Sequence, residues 1–355
     1  MLGAAGAAAS AAAQSGGARN VIVASGNGLN ACAKAMDFLK AGKDTLDAVI
    51  AGVNLVEDDP DDDSVGYGGL PNEEGVVELD ASVMHGPTRR AGSVAGLRNI
   101  KNPSKVARLV MEQTDHVMLV GEGALRFAKA WGVPEENLLT EKSRIAWMVW
   151  KQSQRDASGH NNWTDGLDAP VKAPPRVAQL KRMFPDATEE TLAYALDRAM
   201  HPLTGTINCL ALNAKGEMSG VTTTSGLSWK LPGRIGDSPI IGAGLFLDQD
   251  VGGGGSTGRG EENIRVCGAH SIVENMRKGM SPKEACLDVL KRIARNYDDD
   301  QTRLSKFNIT FYALRKDGAH GSACLFGSNR RRTKFAVNDG GASRHEDCAV
   351  LFERS

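Results

Sequence analysis

Gly205-Thr206-Ile207-Asn208-Cys209-Leu210-Ala211-Leu212-Asn213, then Ala214-Lys215-Gly216, then Glu217-Met218-Ser219-Gly220-Val221-Thr222-Thr223-Thr224-Ser225-Gly226 reads as two β-prone runs joined by a short connection. A three-residue hairpin loop takes a type I turn followed by an αL residue, and Gly216 stands where αL is needed. With Lys215 at the loop centre, Asn213 faces Glu217, and counting outward sets Thr206 opposite Thr224. Directly opposed residues carry β-carbons about 4.5–5.5 Å apart, so two hydroxyls meet at the open end. Threonine hydroxyls are poor nucleophiles unless a base is beside them. A Thr freed as a chain terminus brings its own base, the α-amine, whose ordinary pKa is roughly 7.7–8.0. Taken alone, the pair reads as two ordinary strand threonines, since Thr is a common strand residue.

The following residues narrow the reading. Residues 226–244 run GLSWKLPGRIGDSPIIGAG, and residues 248–262 run DQDVGGGGSTGRGEE. With LVEDDP at 55–60, SVGYGG at 64–69 and VMLVGEGA at 117–124, the sequence resembles the glycosylasparaginases, a family of N-terminal-nucleophile hydrolases. The resemblance covers most of residues 20–143 and 205–326 and is most specific from Thr206 to Glu262.

Composition sets outer limits. The chain has 355 residues, 41% hydrophobic and 24% charged, with formal net charge −1. That suffices for a sizeable core in one large domain or two ordinary ones. A charge near zero makes no case for nucleic acid or an acidic membrane surface as partner, and no apolar run reaches a membrane span. The six cysteines show no metal-ligand spacing; a Cys324–Cys348 bridge is one candidate, six independent thiols the other. Residues 1–19 read as a leader remnant or a flexible tail, with residues 20–355 as a single catalytic domain. The Ala/Gly-rich start fits the small-residue end of a secretory signal but lacks its positive and apolar regions. An exported enzyme, periplasmic or secreted, is the expectation, a cytoplasmic one the alternative.

Along the chain, residues 20–24 read as a first strand and 25–28 as a turn. Residues 30–56 show helical spacing, broken near Gly42. The acidic run 58–63 lacks the Gly and distal Glu of an EF-hand, so it reads as a solvated loop. A strand over 75–84, a continuation over 91–96, a short helix over 105–111, a buried strand over 116–121 and a helix over 124–131 follow. The proline-containing stretch 169–175 and a helix over 187–200 precede the hairpin. One amphipathic helix over 261–277, a second over 282–296, and a hairpin about Asp317-Gly318 complete the pattern. This pattern supports α+β or mixed α/β; the resemblance implies a four-layer αββα sandwich.

The resemblance further implies cleavage between Gly205 and Thr206 into an α chain and a β chain, with Thr206 as nucleophile and Thr224 holding its amine or hydroxyl. It implies Arg234 for the substrate α-carboxylate, a role its planar fork suits, and Asp237 for the α-ammonium. Thr257 and the Gly258 N–H would form the oxyanion hole, and Ser64 is a weaker candidate for substrate binding. Without the motif, Arg234 and Asp237 would read as a salt bridge; the Gly-rich loop lacks the Lys of a Walker loop and the strand-helix context of a dinucleotide site, which argues against a phosphate cradle. No cofactor or metal enters this reading. The implied substrate is N4-(β-N-acetylglucosaminyl)-L-asparagine, an asparagine-linked glycan or related derivative, and the implied assembly is an (αβ)2 homo-oligomer. Two departures favour an L-asparaginase or isoaspartyl dipeptidase instead: Gly205 stands where the family usually has Asp, and residues 24–28 lack the family's Trp. A non-enzymatic amino-acid binder that stays uncleaved is the rival of another class.

Overall fold

The computed structural model describes residues 19–155, 177–201, 204–328 and 332–354. The stretch 169–175 and all but Arg19 of the 1–19 segment lie outside them. Among the described residues, the first part of the chain supplies β1 (Val21–Ala24), α1 (Leu29–Lys40), α2 (Thr45–Glu57), β2 (Leu79–His85), β3 (Arg90–Leu97), α3 (Pro103–Gln113), β4 (Met118–Val120) and α4 (Gly121–Ala130). Three helices come next, α5 (Glu141–Arg155), α6 (Val177–Met183) and α7 (Glu189–Met200). The hairpin is β5 (Thr204–Leu212) and β6 (Met218–Leu227). Beyond it lie β7 (Leu245–Asp248), β8 (Gly252–Gly258), α8 (Gly260–Ile264), α9 (Gly268–Arg277), α10 (Pro282–Arg295) and α11 (Gln301–Leu304). The chain closes with β9 (Ile309–Arg315), β10 (His320–Ser328), β11 (Lys334–Asn338), β12 (Arg344–Asp347) and β13 (Ala349–Arg354).

The strands form an eight-stranded sheet, β12-β11-β1-β5-β6-β2-β3-β4, and a five-stranded sheet, β13-β10-β9-β8-β7. Period-two alternation decides the layering. Ile22, Ala24, Cys209 and Ala211 face the core shared with α1, α2, α3 and α4. Their neighbours Val21, Val23, Leu210 and Leu212 face Tyr312 and Leu314 between the sheets. On the far side Phe311 and Ala313 meet Val289, Leu290 and Ile293 of α10, all three fully buried. Each such side chain contributes about 1.5–3 kcal/mol through burial. The result is the αββα sandwich, an α+β fold. Among the described residues no helix is long and apolar enough to cross a membrane.

Local chemistry starts the helices where the sequence signals them. Asp44 caps α2 by accepting from Leu46 N at 2.7 Å, and Ser281 with Glu284 forms a capping box ahead of Pro282 in α10. α5, α6 and α7 pack around Trp150 stacked on Trp229, ring centroids 5.3 Å apart.

Four expectations are corrected. The strand expected from residue 75 begins only at Leu79. β4 is an exposed edge rather than a buried strand: among the described residues it pairs only with β3, and Val120 is 56% exposed. The helix expected over 261–277 is two, split at Cys267 with φ 47°, because Asn263 turns inward and its Oδ1 accepts from Gly268 N at 2.9 Å. The Cys324–Cys348 bridge does not form, and all six thiols are free. Ser322 Oγ donates to Cys348 Sγ at 3.1 Å, whereas Cys324 Sγ points to Phe326 O at 3.4 Å. Burial pushes the Cys348 thiol up to about 12.

Candidate active site

The hairpin turns as its residues dictate. Gly216 has φ +78° and donates to Asn213 O at 2.9 Å, while Asn213 Oδ1 accepts from Lys215 N and Glu217 N. Pairing runs regularly to Ile207 opposite Thr223, then slips, so that Gly205 pairs with Gly226. Two β6 residues, Thr224 and Ser225, therefore oppose the single Thr206. A bulge of this kind re-aims side chains beside functional sites.

The slip brings the two predicted hydroxyls together around one carbonyl. Thr206 Oγ1 lies 2.7 Å from Gly205 O and 3.2 Å from Thr224 Oγ1. Thr224 Oγ1 itself donates to Gly205 O and accepts from Gly226 N at 2.7 Å. The Gly205 carbonyl is thus polarised by hydroxyl donors in the unbroken chain. The loop after β1, which carries no Trp, steadies the next peptide: Asn27 Nδ2 donates to Thr206 O at 3.3 Å, and Ser25 Oγ accepts from Asn208 N at 3.2 Å.

Thr206 stands in the wall between two cavities. The narrow one, about 10 Å³ and thus room for about one water molecule, is lined by Thr224, Arg234, Asp237 and Gly258. The wide one, about 440 Å³, is lined by Asn27, Asp62, Ser64, Thr257, Tyr312 and Lys334 among others. Thr204 and Gly205 belong to both walls.

Arg234 and Asp237 line the same cleft but do not pair with each other. Arg234 Nε and Nη2 each lie 2.8 Å from Glu261 Oε1, and Arg259 Nε lies 3.2 Å from Glu261 Oε2. Burial pushes the Glu261 carboxyl up, but the Arg234 donors and the two guanidinium charges outweigh it and hold the group low. Asp237 Oδ2 accepts from Ser256 Oγ and, at 2.6 Å, from Asn263 Nδ2. Beneath the cleft Lys230 is almost fully buried and donates to Glu78 O at 2.9 Å. A β-carbon on Gly226 would sit 3.0 Å from Lys230 Nζ, so that position leaves space for the ammonium. Opposite Thr224 on β2 lies Asp80, fully buried, its Oδ1 accepting from Gly96 N at 2.8 Å. Burial raises the Asp80 carboxyl and lowers the Lys230 ammonium, each opposed by the other's charge.

Of the remaining candidates, Thr257 Oγ1 is 2.8 Å from the hydroxyl of buried Tyr312. Gly258 follows it at φ +114°, a conformation that favours Gly. Ser64 is turned onto Asp62, donating to Oδ1 at 2.5 Å, and its carbonyl accepts from Ser225 N and Oγ at 3.0 and 2.8 Å. Sequence reasoning missed Glu261, Asn263, Ser256, Lys230 and Asp62. Asp62 left a signal, its place in the acidic run 58–63.

The family described as Asparaginase matches residues 3–302 of the chain. The sequence is 40% identical over 319 residues to an N(4)-(beta-N-acetylglucosaminyl)-L-asparaginase of Elizabethkingia miricola, covering 90% of this chain and 81% of that protein. It is 34% identical over 310 residues to a probable isoaspartyl peptidase/L-asparaginase of Arabidopsis thaliana, covering 86% and 84% of the two chains.

Proposed function

The chain belongs to the asparaginase family, and we propose that it is an autoproteolytic amidohydrolase cleaving the side-chain amide of N4-(β-N-acetylglucosaminyl)-L-asparagine to L-aspartate and the glycosylamine. The observation that carries this reading is the placement of Thr206 Oγ1 2.7 Å from Gly205 O, with Thr224 donating to the same carbonyl. Thr206 Oγ1 attacks the Gly205 carbonyl carbon, the C–N bond breaks, and the nitrogen takes a proton. Water then opens the ester to leave a free Thr206 amine. In the unbroken chain the narrow cleft has room for about one water; loss of the 204–205 wall opens it to an asparagine side chain.

In the processed enzyme the amine accepts the Thr206 hydroxyl proton as the oxygen attacks the substrate amide, and Thr224 steadies both. Arg234 receives the α-carboxylate and Asp237 the α-ammonium, while Thr257 and Gly258 face the developing oxyanion. One such donor is typically worth about 2.7–4 kcal/mol. The wide cavity on the other side of Thr206 takes the leaving group. At about 440 Å³, lined by Asn27, Lys334 and the carboxylates of residues 61–63, it suits a hydroxyl-rich sugar. We place the enzyme as an (αβ)2 assembly, exported from the cytoplasm.

The runner-up, an L-asparaginase or isoaspartyl dipeptidase, draws on Gly205 and on Ser25 and Asn27 standing where a ring would wall the pocket. Turnover of glycosylated asparagine, asparagine and β-aspartyl dipeptides, measured side by side on processed protein, decides between them. Preference for the dipeptide would replace the first reading. Turnover of none, with no fragment beginning Thr-Ile-Asn-Cys, would overturn both.

A further inference from the structure

Before the backbone breaks, Thr206 has no amine to act as base, because its nitrogen is still an amide. The family's usual Asp at the preceding position is also absent. The surroundings of Gly205 show why no side chain stands there. A β-carbon on Gly205 would lie 1.9 Å from Ser64 Cβ and 2.4 Å from Ser64 Cα. The space into which residue 205 would project is therefore filled by Ser64. Its hydroxyl donates to Asp62 Oδ1 at 2.5 Å, and its N–H binds the same oxygen at 2.8 Å. Two bonds from Ser225 to Ser64 O clamp this loop onto β6, one residue beyond Thr224. Asp62, Ser64, Gly205 and Thr206 all line the wide cavity.

We propose that Ser64 and Asp62 serve self-cleavage as the proton relay that a side chain at position 205 cannot provide. The inference rests on the self-cleavage reading. As Thr206 Oγ1 bonds to the Gly205 carbonyl carbon, its proton crosses the cavity, through water, to Ser64 Oγ. The Ser64 proton passes to Asp62 Oδ1. When the C–N bond breaks, the nitrogen takes back one proton by the same route, so the shift from amide to ester is balanced and Asp62 returns to carboxylate. Water then hydrolyses the ester.

The charged neighbours leave Asp62 free for this task. Asp63 is held by Arg198 and Tyr194 of α7, and Asp61 by Lys142 of α5. Asp59 accepts from Asp61 N, and Lys334 of β11 lines the same cavity. Burial first, and the charges of Asp63 and Asp59 after it, push the Asp62 carboxyl above its usual range against the Ser64 hydrogen bonds. A base of this kind is effective only above its raised pKa, so the cleavage rate of the wild type should climb as pH rises through it.

The test is the loss of the 37.6 kDa full-length chain after cell-free synthesis, followed by denaturing gel across pH for wild type, Asp62→Asn and Asp62→Glu. General-base contributions are typically about 10²–10⁴-fold. Asp62→Asn should cleave roughly a hundredfold more slowly, without the acid limb, at an unfolding midpoint close to wild type. Asp62→Glu, which keeps the carboxylate, should restore most of the rate and the limb. Cleavage of Asp62→Asn within twofold of wild type, or slowed with the acid limb unmoved, overturns the relay. So does Asp62→Glu if it is as slow as Asp62→Asn. A wild type that yields no fragment starting at Thr206 overturns self-cleavage itself, and the relay with it.

Discussion

Arg234 commits two of its nitrogens, Nε and Nη2, to a single oxygen of Glu261, each at 2.8 Å. The guanidinium is thereby fixed at the cleft edge, half-neutralised, with its remaining face toward Gly226 and Gly236. A hydrogen bond to a charged group is worth about 1.5–3 kcal/mol. Arg234→Ala should accordingly raise KM about 10- to 150-fold while the gel pattern of self-cleavage stays that of wild type. A normal KM would remove its carboxylate role.

Thr206→Ala deletes the attacking oxygen and should leave one full-length band at all times. Thr206→Ser keeps the oxygen and should still cleave. Thr224→Val removes the neighbouring donor to Gly205 O and strands the Gly226 N–H, so cleavage should slow by about 10²–10³. A fragment of Thr206→Ala that begins at Thr204 would make Thr204 the nucleophile instead.

Thr257→Ala should lower kcat on processed enzyme by about two to three orders of magnitude with little change in KM, the pattern of a contact made chiefly in the transition state. An unchanged kcat would take Thr257 out of the oxyanion hole.

Gly205→Ala places a methyl group on Ser64, and overpacking of this kind costs about 1–3 kcal/mol. Made in the Thr206→Ala background, so that the chain stays whole, it should lower the unfolding midpoint. Adding Ser64→Gly should recover much of the loss. A midpoint equal to the parent's would mean that the loop yields without cost.

Lys230→Met should also be costly, because it removes the nearby positive charge that most favours the fully buried Asp80 carboxylate, together with the donor to Glu78 O. A buried charge left less compensated, and a buried carbonyl left without its donor, should cost about 1–3 kcal/mol. Asp80→Asn added to Lys230→Met should return part of it, as a double-mutant cycle in chemical denaturation would show. Additive losses would mean that the two groups are energetically independent.

The site was legible in the sequence where chemistry is local and hidden where it depends on the third dimension. The loop Gly216 and the count outward from it placed Thr206 against Thr224. The count could not anticipate the slip at Ser225, because that slip arises from Ser225 bonding to Ser64, 161 positions away. Arg234 and Asp237 were identifiable from their motif, yet their partners were not, since Glu261 and Asn263 reach them only after β8 turns into α8. The six cysteines could not be sorted by spacing, as neighbours in space such as Cys324 and Cys348 differ in where each thiol points. The edge position of β4 was invisible for the same reason. An apolar run says that a strand forms, and only the finished sheet says which strand comes last.

In the larger sheet, β1 is inserted between β11 and β5, and β2 lies against β6. A cut at residue 205 puts β1 and β2 on one polypeptide and β5, β6 and β11 on the other, so the two pieces are laced along three seams. The five-stranded sheet belongs wholly to the second piece, but the three seams in the larger sheet tie that piece to the first. Scission therefore changes which atoms are chain ends without dividing the particle, and strong denaturant is what should part its two strings.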